Sequence, residues 1–224
     1  MDTQLSIVTT SDGSHTIFNA SVGEHYHSRH GALQESRHVF LNAGLMHYLS
    51  EGADHAAILE LGFGTGLNFL LSAEYALEKK IKLEYTGIEA FPLSHALISS
   101  TAYQQYVPED LWSGFISNYP AALEKETELN PYCRLEIAPV PLLEFESGKT
   151  FNIIYFDAFA AVHQPEMWSE ESLAHICRYL RRGGIFVTYA ITGNLKRTMS
   201  SLGFSIEKIP GAAGKREMLR AVKL

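Results

Sequence analysis

One acid, three glycines and an amide stand together in ILELGFGTGLNFL (58–70): Glu60, then Gly62, Gly64 and Gly66 at alternate positions, then Asn68. Glycine permits positive φ, and its missing side chain lets a ligand approach bare backbone. A helix starting just after such a turn aims unpaired N–H groups at the same place. The spacing is GxGxG, whereas a dinucleotide site carries GxGxxG. A carboxylate before the turn repels a pyrophosphate and attracts a cation. The chemistry that fits is S-adenosylmethionine, which lacks phosphate and carries an ammonium and a sulfonium. Glu89 ends the next apolar run, where it is either a solvated strand-end acid or an acceptor for two ribose hydroxyls. Asp157 closes FNIIYFD. It is either a turn or capping residue or a carboxylate beside a transferred methyl group. In the second role it orients the N–H of an attacking amine and later takes the proton. Positioning supplies much of the rate of a displacement, and proton acceptance adds roughly 10²–10⁴-fold.

Those residues need strand ends to hold them. Residues 3–10 and 15–20 are β-rich and flank SDGS, whose Asp-Gly predicts a hairpin. VFLNAGLMHYL has helical spacing. From residue 56 strands and helices alternate: AAILEL, then GLNFLLSAEYALEKK; LEYTGIE, then PLSHALISSTAYQQY with Pro in its first turn. Residues 106–131 read as an irregular insert with a short helix. CRLEIA and FNIIYFDAF are strands. SEESLAHICRYLRRGG is a helix with Ser169 as cap, stopped by Gly-Gly. IFVTYA is a strand, NLKRTMSSLG a helix, and FSIEKI and REMLRAVK a closing pair. Alternation of this kind implies a mostly parallel sheet with right-handed crossovers, and the closing pair implies an antiparallel edge. The expected class is α/β, Rossmann-like and seven-stranded. Residues 1–50 are expected to form an N-terminal extension of hairpin, covering segment and helix, and residues 51–224 the domain proper.

Composition narrows the partners. The 224 residues are 46% hydrophobic and 19% charged, as in an ordinary globular protein. A net charge of −7 argues against a surface that binds nucleic acid everywhere. The segments LRRGG, LKRT and GKREMLRAVK are locally basic. Cys133 and Cys177 form no CxxC or Cys/His cluster, so zinc is not expected, and two lone cysteines suit a reducing cytoplasm. The sequence shows neither a secretory leader nor an apolar run of membrane-spanning length.

Four segments in this order, YHSRHGALQESRHVFLNAGL, ELGFGTGLNFL, YFDAFAAVHQPEMWS and GAAGKREML, resemble the methyltransferase part of MnmC, the bacterial tRNA wobble-uridine modification enzyme. The resemblance runs from about residue 24 to residue 220. It implies a class I S-adenosylmethionine-dependent fold and methylation of the 5-aminomethyl group of uridine 34 in the tRNA anticodon, giving 5-methylaminomethyluridine, often 2-thiolated. On matching positions it implies that Glu60, Gly62, Gly64, Gly66 and Asn68 hold the methionine part of the cofactor and Glu89 its ribose. Asp157 would face the amine, Phe159 wall the pocket, and Lys215 and Arg216 meet tRNA phosphate. There are three departures. The 224 residues leave no room for the flavin-dependent oxidase fused to better-known members, so a separate enzyme is expected to supply the amine. Ala138 and Pro139 stand where many members carry Gly-Asp near the adenine. Ala161 replaces the usual Pro.

Other readings stay open at this level. The acidic charge suits a small-molecule N-methyltransferase. The Ala138-Pro139 departure suits a non-catalytic tRNA- or partner-binding domain. A nicotinamide oxidoreductase lacks its glycine spacing. His25, His27, His30 and His38 have no Cys or paired acid to complete a metal site and read as a polar segment closing over the cofactor. In that segment Arg29 and Arg37 face phosphates or pair with Glu24 or Glu35. Trp168 reads as core packing before base stacking, and Tyr189 either borders the pocket or ends its strand.

Overall fold

The structure, a computed structural model, describes residues 4–224. Residue 3, expected in the first strand, lies outside the described residues. Strands β1 (Leu5–Thr9), β2 (His15–Asn19) and β3 (Glu24–His25) form a small antiparallel sheet. The predicted reversal forms around Asp12. Its Oδ1 accepts from the Thr10 hydroxyl (2.7 Å), the Ser14 amide (3.0 Å) and the Ser14 hydroxyl (2.5 Å). The hairpin also caps the helix that follows. Asp12 Oδ2 accepts from the Gln34 amide at 3.0 Å, and Ser14 Oγ accepts from the Ala32 and Leu33 amides at 3.1 Å each. Free N–H groups at a helix start need such partners. Gly31 leaves room for them, since a Cβ there would lie 2.4 Å from Asp12 Oδ2.

That helix starts as α1 (Ala32–Glu35), continues as π-helix over Ser36–Met46 and ends as α2 (His47–Ser50). The sequence pattern predicted a helix here without revealing its wider winding. The winding presents Val39, Phe40, Ala43 and Leu45 to the core.

The main sheet contains β4 (His55–Leu61), β5 (Lys82–Ile88), β6 (Thr127–Asn130), β7 (Cys133–Ala138), β8 (Phe151–Phe156), β9 (Leu180–Thr188), β10 (Phe204–Pro210) and β11 (Glu217–Lys223). Their order is β10-β11-β9-β8-β4-β5-β7-β6. The run β7-β5-β4-β8-β9 is parallel, while β11 and β6 pair antiparallel to their neighbours. The direction of winding reverses at β4, with β5 on one side and β8 on the other. A crevice outside the carboxyl ends of the strands opens at such a switch point.

Helices α3 (Leu67–Lys79), α4 (His95–Ser99) and α5 (Glu109–Ala122) and the π-helix cover one face; α6 (Glu170–Cys177) and α7 (Gly193–Ser201) cover the other. Along β4, Ile58 joins the first core and Leu59 the second. Burial on both faces explains the continuous apolar runs.

Four expectations need correction. The sheet has eight strands, because β6 adds an edge beyond the seven expected. The short helix expected within residues 106–131 is fourteen residues long, α5. Leu111, Trp112, Phe115, Tyr119 and Ala122 make its buried stripe, Pro108 precedes it, and Pro120 falls in its last turn. Helix α6 stops at Cys177, and the Gly183-Gly184 pair read as a helix stop lies inside β9. There the register against β8 slips between Phe151 and Ile153, as at a bulge that glycine accommodates. The long helix expected after β5 is shorter too. Ser94 caps α4 at His95, and Ala102, at φ 60°, breaks the chain before a 3₁₀ turn at Tyr103–Gln105.

Candidate functional site

A cavity of about 1370 Å³ opens at the switch point. Single small-molecule sites occupy roughly 300–1,000 Å³, so there is room for two reactants. One wall is the set of loops leaving β4, β5 and β8. The other is built from residues 24–30, Glu35 and Lys215.

The glycine turn forms the floor. Gly62 has φ +81°, and a Cβ there would lie 2.3 Å from the Asp157 carbonyl oxygen, so this glycine lets the β8 loop cross the β4 loop. Gly64 has φ +51°; a Cβ would meet the Tyr26 ring at 2.9 Å. The Gly64 amide donates to Glu89 Oε2 at 2.9 Å, and the Phe91 amide donates to Glu89 Oε1 at 3.1 Å. Gly66 precedes α3 and packs against Phe115.

The acids divide into layers. Asp157 lines the cavity, and its Oδ2 accepts from Asn68 Nδ2 at 2.8 Å. Asn68 Nδ2 also donates to Glu60 Oε1 at 2.8 Å, and Glu60 Oε2 accepts from the Tyr85 hydroxyl at 2.8 Å. Glu60 is 0% exposed. It sits on the α3 face of a central strand, behind Asn68, and does not reach the cavity wall. Glu60, expected to touch the cofactor, is thus held by Asn68 and Tyr85 and stands outside the cavity lining. Burial raises the Glu60 carboxyl well above the usual range; the Asn68 and Tyr85 hydrogen bonds oppose this, and the nearby Asp157 and Glu89 charges add to it. Asp157 is pushed up to about 8, by burial first and then by Glu35; the Asn68 hydrogen bond and the Lys215 charge pull it back. Burial also raises Glu89, against its two amide donors.

The opposite wall is held by polar contacts. Glu24 accepts from the Ala160 amide at 2.9 Å. Glu35 accepts from the Ser28 amide at 2.8 Å and from Lys215 Nζ at 2.7 Å. Lys215 Nζ lies 3.7 Å from the centre of the Tyr189 ring, and the Tyr189 hydroxyl donates to the Ala158 carbonyl at 2.9 Å. Lys215, expected to reach phosphate, is thus turned inward onto Glu35. Arg216 is exposed and outside the cavity lining. Phe159 lines the cavity and meets Tyr26 edge-on at 5.2 Å. Trp168 packs at 4.9 Å on Phe156 and donates to the Phe159 carbonyl at 2.8 Å, a packing role.

Glu24 and Glu35 take the Ala160 amide and Lys215 as partners, in place of the arginines considered for them. Arg29 lines the cavity, whereas Arg37 acts on Glu74 at the α3 surface. His27 is buried against Thr16 and pushed down to about 4 by that burial. Among the described residues no group of three or more His, Cys, Asp or Glu is placed to hold a metal ion. Among them, too, no helix is long and apolar enough to cross a membrane.

The inner half of the cavity is rich in acceptors. Asn68 Oδ1 is buried without a hydrogen-bond partner, and the carboxyl groups of Asp157 and Glu89 line the cavity. Phe91, 82% exposed, with Val140 and Leu142 makes an apolar end. Ala138 carries no acid, and its carbonyl accepts from the Glu89 and Val140 amides. A ligand with an ammonium, ribose hydroxyls and a flat base matches these groups in turn.

A family described as S-adenosyl-L-methionine-dependent methyltransferase matches residues 108–224, just over half of the chain. The chain belongs to this methyltransferase family. Its cofactor is S-adenosylmethionine, and the acceptor-rich half fits that donor. The methyltransferase is 29% identical over 219 residues to the tRNA 5-methylaminomethyl-2-thiouridine biosynthesis bifunctional protein MnmC of Methylobacillus flagellatus, covering 90% of this chain and 33% of that one. It is 30% identical over 204 residues to the protein of the same name from Leptospira borgpetersenii, covering 87% and 31%. The chain thus spans about a third of the length of these relatives. Among solved structures it resembles MNMC2 from Aquifex aeolicus, with TM-score 0.78, 22% identity and coverage of 97% and 70%. That likeness confirms the α/β fold with its mostly parallel sheet and antiparallel closing strands.

Sequence reasoning missed Tyr85, Tyr26 and the inward face of Lys215. Tyr85 pairs with Ile58 across β4 and β5, so its hydroxyl meets Glu60 only once that register is known. Tyr26 carried the one available signal, an aromatic within a polar segment.

Proposed function

We propose that the methyltransferase acts on a primary amine carried by a modified wobble uridine of tRNA, the 5-aminomethyl group of uridine 34. One observation carries this reading. Asp157 lines the cavity bonded to Asn68, two residues before Phe159, whose ring meets Tyr26. The names of the relatives support the tRNA part of the reading.

In this reading Asn68 and the turn of Gly62, Gly64 and Gly66 hold the methionine part of the cofactor, and Glu89 the ribose hydroxyls. Glu60 acts through Asn68. When bound, S-adenosylmethionine supplies an electrophilic methyl group on a sulfonium. Asp157 accepts a hydrogen bond from the amine, aims its lone pair and takes the proton released on N-methylation. Phe159 and Tyr26 offer ring faces to a base taken out of its stack, as enzymes acting on a single base require. Arg216, exposed beside the cavity, meets phosphate, and Lys215 supports the site from inside. Residues 51–224 are the catalytic unit, and residues 1–50 supply its cover. An activity outside these 224 residues makes the amine, and the setting is the cytoplasm.

Labelled cofactor incubated with tRNA bearing 5-aminomethyluridine tests the reading. Label is expected at uridine 34, and a tRNA that stays unlabelled overturns the substrate assignment. The net charge of −7 and the inward Lys215 favour a second reading, a small-molecule amine as substrate. tRNA binding that weakens steeply with salt, the mark of phosphate contacts, decides against it.

A further inference from the structure

Asn68 places one amide nitrogen between two carboxyl groups. Its Nδ2 donates to Glu60 and to Asp157, both at 2.8 Å. An amide nitrogen carries two hydrogens, so both are used, and Oδ1 is left buried and unpaired. Behind it the Tyr85 hydroxyl holds the other Glu60 oxygen at 2.8 Å. The Tyr85 ring is itself fixed among Phe69 at 5.1 Å, Tyr155 at 6.2 Å and Phe63 at 6.4 Å. A chain of contacts therefore runs from packed aromatic core to a carboxylate on the cavity wall. In the low local dielectric of the core such linked hydrogen bonds polarise and strengthen one another.

We propose that Tyr85 and Glu60 are positioning residues that hold the Asn68 amide one way round, so that one N–H steadies the Asp157 carboxylate and Oδ1 stays an unpaired acceptor. The consequence for methyl transfer rests on the role given to Asp157 above; the positioning itself does not. Glu60 on β4 and Tyr85 on β5 lie too deep to touch either reactant. Their influence passes through Asn68 at the start of α3. The other charged or titratable groups acting on Asp157 are Glu24 from β3, Glu35 from α1, Lys215 from the β10–β11 loop and Tyr189 after β9.

The test is the titration of Asp157 in cofactor-free protein. It is followed by isotope-edited infrared spectroscopy of labelled aspartate and assigned by difference against Asp157→Asn. A hydrogen bond to the charged form lowers a carboxyl pKa, so Asn68→Ala raises the Asp157 midpoint, by about one unit. Glu60→Gln raises it less, because Asn68 is then free to turn, and Tyr85→Phe raises it least. In turnover the last two lower kcat and leave KM for tRNA in place. Midpoints unchanged in all three variants overturn the proposal. So does a Glu60→Gln protein that loses S-adenosylhomocysteine binding with its midpoint intact, since Glu60 then contacts the donor directly. If Asn68→Ala does not fold, the shape-preserving Glu60→Gln and Tyr85→Phe decide. Shifted midpoints together with an unlabelled tRNA leave the positioning standing and defeat only the substrate assignment.

Discussion

The two walls of the cavity are made differently. The sheet wall comes from the ends of three buried strands, and its geometry is set by backbone: the Gly62 and Phe63 amides on the Ile88 carbonyl, the Asp157 amide on the Leu61 carbonyl, and the close crossing at Gly62. The facing wall depends on side chains from distant parts of the chain, Glu24 on Ala160 and Lys215 on the buried Glu35. The first is held by many backbone contacts between packed strands, which resist local opening, and the second by a few side-chain contacts. The sheet wall is thus fixed by the fold itself, and the facing wall by contacts that single substitutions can remove.

Changes on the sheet wall should be the more damaging. Asp157→Asn removes the proton acceptor while keeping the shape. It is expected to lower kcat by roughly 10²–10⁴-fold with S-adenosylhomocysteine binding retained, measured by single-turnover methyl transfer and calorimetry. Equal losses of rate and cofactor binding would place Asp157 on the donor. Gly62→Ala forces a side chain against backbone at a positive φ. Strain of that sort costs about 1–3 kcal/mol before the clash is added, and each kcal/mol lowers Tm by roughly 2–4 °C in a domain of this size. A thermal melt that matches the parent chain would show the crossing to be loose.

The same contrast explains what the sequence disclosed. The sheet wall was legible because its constraints are local: an apolar run, then an acid or glycine, repeated at Glu60, Glu89 and Asp157. The facing wall was expected as a covering segment, but its pairing was hidden, since Lys215 meets Glu35 across most of the chain and nothing near either residue announces it. Glu60 shows the limit of local reading even on the legible side. Its place before the turn suggested a cation ligand, but strand alternation turns it under α3, where Asn68 and Tyr85 take both oxygens. The length of α5 escaped for another reason. Pro108 and Pro120 suit a short helix, but Pro108 precedes the helix and Pro120 removes a backbone donor only in its last turn, while the buried stripe from Leu111 to Ala122 holds the rest.

The facing wall can still tune the sheet wall, and a smaller effect measures that. The Lys215 charge opposes the upward push on Asp157, while Glu35 and Glu24 reinforce it. Lys215→Met keeps most of the side chain's bulk and removes the charge. The Asp157 midpoint then rises above its value of about 8, and the acidic limb of the kcat/KM profile moves up with it. On the proposed tRNA substrate KM rises only modestly, because Lys215 is turned inward onto Glu35 and the exposed Arg216 remains. For stability the sign is fixed by linkage. An aspartate raised from 3.8 to about 8 on folding holds a proton in the folded state that the unfolded chain has released, so stability falls as pH rises across that interval and levels off above it. Donor binding runs the other way. A cationic ligand prefers the ionised carboxyl, so the affinity of S-adenosylmethionine should climb from pH 6.5 to 8.5 and then flatten. Asp157→Asn should abolish both slopes. If the binding slope survives that substitution, the titrating group belongs to the facing wall, and the division of labour between the two walls has to be redrawn.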